Sequence, residues 1–173
     1  MGTIILIVYL LGTNLRSVAF GISLTNELKL KGSNAIEYGQ RNTAILANLH
    51  ILFYTGCIIE ACIRKAQVDY ITIVGTILYG FAFVILFYVI KQLQGIWTTK
   101  LIIAEDHKLN RSFLFKHIRH PNYFLNLIPE LVGLALVCKA TYVFIFIFPL
   151  YLIGLIVRIF TEEKVMRDKF INY

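Results

Sequence analysis

Five consecutive residues, Arg119-His120-Pro121-Asn122-Tyr123, place a permanent cation, an imidazole, a proline and a phenol directly before an apolar segment. Lys116 and His117 stand just upstream, and Glu130 lies within the apolar segment that follows. The next apolar segment ends in Arg158, and Thr161-Glu162-Glu163 come directly after it. A cation and an imidazole facing paired carboxylates suit a zwitterionic small molecule, whose carboxylate needs a cation and whose positive groups need anions. Pro121 fits the first turn of a helix, where its missing N–H costs little, and a helix N-terminus favours a negative group. Glu130 follows Tyr123 by seven residues. Two helical turns separate them, so both are expected on one face with Glu130 about 10 Å deeper. A carboxylate at that depth in a membrane is by default a candidate functional group. Charges snorkelling from helix ends would produce the same composition and spacing, and these alone favour that simpler account.

The elements that must position these residues are membrane spans. Of 173 residues, 58% are hydrophobic, and the mean hydropathy is +0.71. That exceeds the roughly 45–50% apolar content of soluble domains, and the excess is concentrated in runs. The fold expected is all-α, a single membrane domain over residues 1–173 with about five spans: 2–24, 43–63, 70–90, 122–138 and 141–160. The last two are expected to form a hairpin about Lys139, antiparallel and adjacent. The first span reads as retained, because no basic region precedes it and no clear cleavage site follows. It carries Arg16, which needs a carboxylate on another helix or a watery cavity. The second carries His50, expected as an interior hydrogen-bonded histidine, and Glu60. Gly75 and Gly80 are small enough for close helix approach but do not form GxxxG. Thr25–Gln40 reads as a solvated loop, and Pro129 is expected to kink the fourth span. Trp97 fits an interfacial anchor. Val165, Met166 and Phe170 suggest an apolar face on a polar C-terminal helix. Cys57, Cys62 and Cys138 form no CxxC pair, so neither a disulfide framework nor a zinc site is supported.

The net charge of +7 reads as a topology signal and not as nucleic-acid binding. With an external N-terminus, twelve lysines and arginines lie in segments on the inner side and three, Arg64, Lys65 and Lys139, on the outer. The 119–123 motif, Arg158, Glu162 and Glu163 then share the cytoplasmic interface.

Arg119-His120-Pro121-Asn122-Tyr123, then Glu130, then Arg158 and Thr161-Glu162-Glu163 after one more span, resembles the isoprenylcysteine carboxyl methyltransferase family. Gly95-Ile96-Trp97-Thr98-Thr99-Lys100, about twenty residues upstream, is similar too. The likeness covers Gln94 to Tyr173. The loop from Asn26-Glu27 to Glu37-Tyr38-Gly39 looks like the bacterial branch of that family, which includes proteins that methylate lipid pyrones and lipid phenols. The resemblance implies a five-span methyltransferase using S-adenosylmethionine at the cytoplasmic face of a bacterial inner membrane. It would act on the carboxylate or hydroxyl of a lipophilic molecule entering from the bilayer. Carried over, it implies cofactor contacts from His117, His120, Pro121, Asn122, Tyr123, Glu162 and Glu163. Catalytic roles fall to Arg158, Glu130 and Arg119, and substrate contacts to Trp97, Asn126 and Glu37. Departures stand at Asn110–Phe115, Phe124-Leu125-Asn126 and Pro129, and bear on the shape of the pocket. Membrane sterol reductases share the RHPxY element, so an NADPH-dependent reductase of an isoprenoid double bond is the alternative enzyme. A non-catalytic membrane scaffold, its charges only tying helices together, is the third reading.

Overall fold

A computed structural model describes residues 1–32, 35–103, 118 and 120–169. The chain runs α1 (Thr3–Gly32), β1 (Ile36–Tyr38), α2 (Gln40–Ile63), α3 (Tyr70–Gln92), β2 (Leu101–Ile103), a π-helical segment (Asn122–Leu127), α4 (Ile128–Cys138) and α5 (Thr141–Lys169). It is an all-α membrane protein. Helices α1, α2, α3 and α5 are long and apolar enough to cross a bilayer, and Asn122–Cys138 is a shorter apolar helix. Large aliphatic and aromatic side chains along the outside, such as Ile77 and Phe146, are exposed. That is the surface hydrocarbon requires.

The short helix is the centre of the bundle. Its six π-helical and eleven α-helical residues span about 25 Å at α-helical rise, less than the ~30 Å hydrocarbon thickness. Helix α1, by contrast, has 30 residues and α5 has 29, each about 45 Å long. Both therefore rise past the His120 end of the short helix and wall it in.

Close packing around α4 comes from paired glycines. A Cβ on Gly75 would stand 2.7 Å from the Val137 nitrogen, and one on Gly133 would stand 2.7 Å from the Tyr79 nitrogen. Side chains there would push α3 and α4 apart. This matches the expectation for Gly75 and corrects it for Gly80, whose missing Cβ faces open space. The reason is angular: Gly75 shares a face with the buried Tyr79, and Gly80 is on the lipid side. Helix α2 packs on α5 in the same manner, Gly56 against Val143 and Gly154 against Leu46.

The expected solvated loop is corrected in its first half. Helix α1 continues to Gly32 and buries Ser23, Asn26, Glu27 and Leu30. Those residues fall at helical spacing with Gly12 and Ala19, so they continue an inward stripe. After them β1 pairs antiparallel with β2, in the register Ile36↔Ile103, Glu37↔Ile102, Tyr38↔Leu101. Leu101, Ile103 and Met166 form a small separate core with Tyr38 and Val165. The apolar face expected on the C-terminal helix thus has a use, although Phe170 lies outside the described residues. Trp97 is also corrected: it is buried among core side chains and is not an interfacial anchor. The carbonyl of Trp97, held by Asn26 Nδ2 at 2.9 Å, keeps its loop folded inward.

Pro129 does not kink an α-helix here. The chain changes helical type beside it, from π to α. The Ile128 N–H reaches back five residues to the Tyr123 carbonyl. Proline cannot donate the bond that would continue an α register upstream, and a π turn takes up the offset.

Candidate functional site

Two polar clusters lie along this central helix. One is at its N-terminal end, where His120 and Tyr123 meet the projecting part of α5. The Tyr123 hydroxyl donates to Glu162 Oε2 at 2.5 Å. His120 Nε2 stands 3.4 Å from Glu163 Oε1, and His120 Nδ1 3.7 Å from Glu162 Oε1. The imidazole and the phenol stack, with centroids 5.6 Å apart and planes 14° from parallel. Burial opposes charging of His120, but the two carboxylates more than offset it and raise its pKa above the ordinary value. Arg167 pairs with Glu163 at the rim, at 2.9 Å.

Arg158, one turn below Glu162 on α5, is buried. Its guanidinium is fixed on three sides. Nε donates to the Tyr123 hydroxyl at 3.4 Å, Nη1 to Thr43 Oγ1 at 2.7 Å and Nη2 to the Thr99 carbonyl at 2.9 Å. Thr99 is fixed in turn. Its N–H donates to Ser23 Oγ at 2.8 Å, and its hydroxyl lies 3.0 Å from that same oxygen. Below it Lys100 and Lys31 each reach Glu27 at 2.6 Å. Glu37 on β1 stands 3.4 Å from Lys31 and 3.7 Å from Lys100. The arginine thus depends on α1, α2 and the 97–100 segment as well as on its own helix.

The other cluster is deep in the bundle around Glu130, which is fully buried. Arg16 donates to both of its oxygens, through Nε at 2.9 Å to Oε1 and through Nη2 to Oε2. Tyr54 donates to Oε1 at 2.5 Å and Asn126 Nδ2 to Oε2 at 3.2 Å. His50 Nε2 lies 3.6 Å from Oε1. Tyr79 adds a bond to Tyr54 at 3.0 Å, and Asn126 also donates to the Ala82 carbonyl at 3.0 Å.

The site residues named from sequence therefore divide. His120, Tyr123, Arg158, Glu162 and Glu163 come together, with Pro121 and Asn122 in the same turn. Glu130 and Asn126 belong to the deeper cluster. The shared face expected for Tyr123 and Glu130 is not seen in their partners, because the π segment between them shifts the angular phase. Trp97 and Glu37 are parts of the frame. His117 and Arg119 lie outside the described residues. Neither Thr43 nor Ser23 is named from sequence as a site residue, and Thr99 and Asn26 appear there only within the segments that carry the resemblance, without a role. For Ser23 and Asn26 the available signal was their helical spacing beyond the end of the expected span.

Residues 73–168 match the isoprenylcysteine carboxyl methyltransferase (ICMT) family. The chain belongs to that family. It is accordingly a membrane methyltransferase in general character, in a family whose enzymes use S-adenosylmethionine. The chain is also similar to an uncharacterized protein of Haemophilus influenzae, 45% identical over 90% of this chain and 91% of the relative. It is similar as well to the uncharacterized protein YpbQ of Bacillus subtilis, 27% identical over 88% of this chain and 90% of the relative. No solved structure matches. The matched span takes in α4, all but the last residue of α5, and the whole His120–Glu163 cluster.

Proposed function

We propose that this ICMT-family chain is an S-adenosylmethionine-dependent O-methyltransferase. Its acceptor is the carboxylate or hydroxyl of a lipophilic molecule, and the site faces the cytoplasm of a bacterial inner membrane. The observation that carries the reading is the cluster of His120, Tyr123, Glu162, Glu163 and Arg158 at the recessed end of the short helix. Two carboxylates there suit a ligand with positive groups, and a buried guanidinium suits an anion beside them. The cluster also keeps buried polar atoms without a hydrogen-bond partner among the described residues, His120 Nδ1 and Asn122 Oδ1. Such atoms in a buried site are expected to meet a ligand or water.

When bound, the cofactor supplies an electrophilic methyl group on a sulfonium. Glu162 and Glu163 would hold its positive groups, with Asn122 beside them. His120 and Tyr123 present a stacked wall. Arg158 orients the acceptor oxygen. Each of its terminal nitrogens has a second hydrogen beyond those given to Thr43 and Thr99. A carboxylate acceptor is already ionised and needs no base. A phenol or enol acceptor would gain from the cation beside it and from His120 as proton acceptor. Burial excludes water and strengthens each of these interactions.

Glu130 takes a different role in this reading. Four donor bonds from Arg16, Tyr54 and Asn126 fill both of its oxygens, so it holds α1, α2 and α4 in register and acts on the site by positioning.

The test is calorimetry on detergent-purified, lipid-supplied protein with S-adenosylmethionine and, separately, NADPH. Binding of the first and not the second is expected. A folded sample that binds NADPH alone would restore the reductase reading, and one that binds neither would leave a scaffold.

A further inference from the structure

A separate concavity lies at the opposite end of the bundle. It forms where the turn between α2 and α3 meets the turn between α4 and α5. Arg64, Lys65, Ala66, Gln67, Lys139 and Tyr142 line about 670 Å³. Three of these side chains are cations. The two nearby carboxylates are already engaged. Glu60 is buried and accepts the N–H groups of Tyr142 at 3.1 Å and Val143 at 3.0 Å, capping α5, and it also takes Arg64 Nε at 2.9 Å. Asp69 accepts the Thr72 N–H at 3.0 Å, capping α3, and takes Lys139 Nζ at 2.6 Å. That lysine and the Thr72 amide hold Asp69 down to a pKa of about 2, so it stays an anion.

What is left over is positive. Lys65 has no ion-pair partner among the described residues, and the terminal nitrogens of Arg64 have no acceptor there. The Arg64 guanidinium is steered over the Tyr142 ring at 4.7 Å, which fixes its outward edge. Cations at helix C-termini have a general reason, since they oppose the helix dipole. That reason does not require a lysine in the left-handed region, yet Lys65 has φ 50° and Lys139 φ 53°. Glycine is the usual residue in such turns. The rim is apolar and outward: Ile63 is 76% exposed and Tyr70 77%. Both stand at the ends of spans, at the level where lipid headgroups lie.

We propose that this concavity binds the phosphate of an anionic membrane lipid, between Lys65 and the terminal nitrogens of Arg64. Its acyl chains leave along the apolar rim. The volume admits one headgroup, and the donor set suits a phosphodiester. The apolar rim favours a lipid phosphate over a soluble one.

Native mass spectrometry of the full chain, titrated with phosphatidylglycerol, tests this. Lys65→Gln removes a partnerless side chain and should spare the fold. It is expected to weaken the tightest lipid-binding step about fivefold, and Arg64→Gln with Lys65→Gln about twenty- to thirtyfold. Diacylglycerol should not be retained, and glycerol phosphate should not displace the lipid. Unchanged binding in Lys65→Gln would overturn the proposal, as would equal retention of diacylglycerol. Displacement by glycerol phosphate at the lipid's own concentration would also overturn it, making the concavity a site for soluble phosphates. Lysines at the other end of the bundle would also attract anionic lipid by charge, so the readout is the difference between wild type and variant.

Discussion

The Glu130 cluster and the His120–Glu163 cluster are built from similar groups and differ in how far their carboxylates are closed off. Around Glu130 one carboxylate meets one guanidinium, and two further donors fill the remaining lone pairs. The cluster is neutral as a unit, which is the condition for leaving charges in the middle of a membrane. At the recessed end of the short helix, two carboxylates meet an arginine that is committed to a hydroxyl and a carbonyl as well as to Tyr123. There Tyr123 donates directly to Glu162, His120 lies beside both carboxylates, and Arg167 pairs with Glu163 at the rim. A neutral pair whose carboxylate is fully buried is suited to holding helices together. A cluster whose two carboxylates stay 25% and 20% exposed, against 0% for Glu130, is open to a ligand. The difference separates structure from site more sharply than residue type does, since both clusters contain Arg, Glu, Tyr and His.

The sharpest way to break this contrast is at Glu130. Glu130→Ala leaves Arg16 without a partner in the bundle, and a loss of about 3–5 kcal/mol is expected. Thermal unfolding in detergent should show a large drop. Replacing both partners, Arg16→Met with Glu130→Leu, should recover most of it. A double variant no better than the single one would mean that the pair is more than a lock.

At the other cluster the balance of effects should reverse. Arg158→Lys keeps the charge and loses the fork that reaches Thr43 and Thr99 together. Methyl transfer is expected to fall about 10²-fold, as for other misplaced catalytic groups, while the melting temperature moves little. A comparable loss of stability with full activity would put Arg158 in the class of Arg16.

A smaller effect is expected one step back. Ser23→Ala removes the oxygen that holds the Thr99 amide, about 1 kcal/mol of hydrogen bonding. It should lower kcat several-fold without abolishing S-adenosylmethionine binding, and Ser23→Thr should restore most of it. Equal loss of kcat and binding would show that Ser23 supports the fold and not the arginine.

The smallest effect is a pH dependence. His120 has a raised pKa in the folded state. Its favourable contribution is therefore complete below about 6.5, the unfolded value, and fades as pH rises through the folded one. The stability gap between wild type and His120→Gln should be larger at pH 6 than at pH 9. A gap that grows with pH would contradict the carboxylate pairing of His120.

Much of this was legible in the sequence because apolar runs and charge are local properties. The spans, the hairpin about Lys139 and the meeting of Tyr123 with Arg158 and Glu162 follow from hydropathy, connection length and sidedness. Arg16 announced its need for a carboxylate, but two spans carried one, Glu60 and Glu130, and pairing with Glu130 is decided by packing. The π segment at Asn122–Leu127 was not legible. It adds no unusual residue and changes only which face each side chain takes. The extension of α1 to Gly32 was obscured by its polarity. Asn26 and Glu27 look like loop residues until their partners, Trp97 and Lys100, arrive from more than seventy residues away.

The two-stranded clasp of β1 and β2 has a consequence for biosynthesis. Its register joins Ile36 to Ile103, and the same neighbourhood joins Ser23 to Thr99 and Thr43 to Arg158. Every one of these contacts spans a long stretch of chain, so each waits for segments made much later. Helices inserted one by one would stand in the bilayer as separate stems. The His120–Glu163 cluster is complete only when α5, made after the other four helices, brings Arg158 to Thr43 on α2 and to the Thr99 carbonyl. A nascent chain halted before that helix has its earlier membrane spans and lacks Arg158, Glu162 and Glu163, so the cluster is the last part of the bundle to assemble.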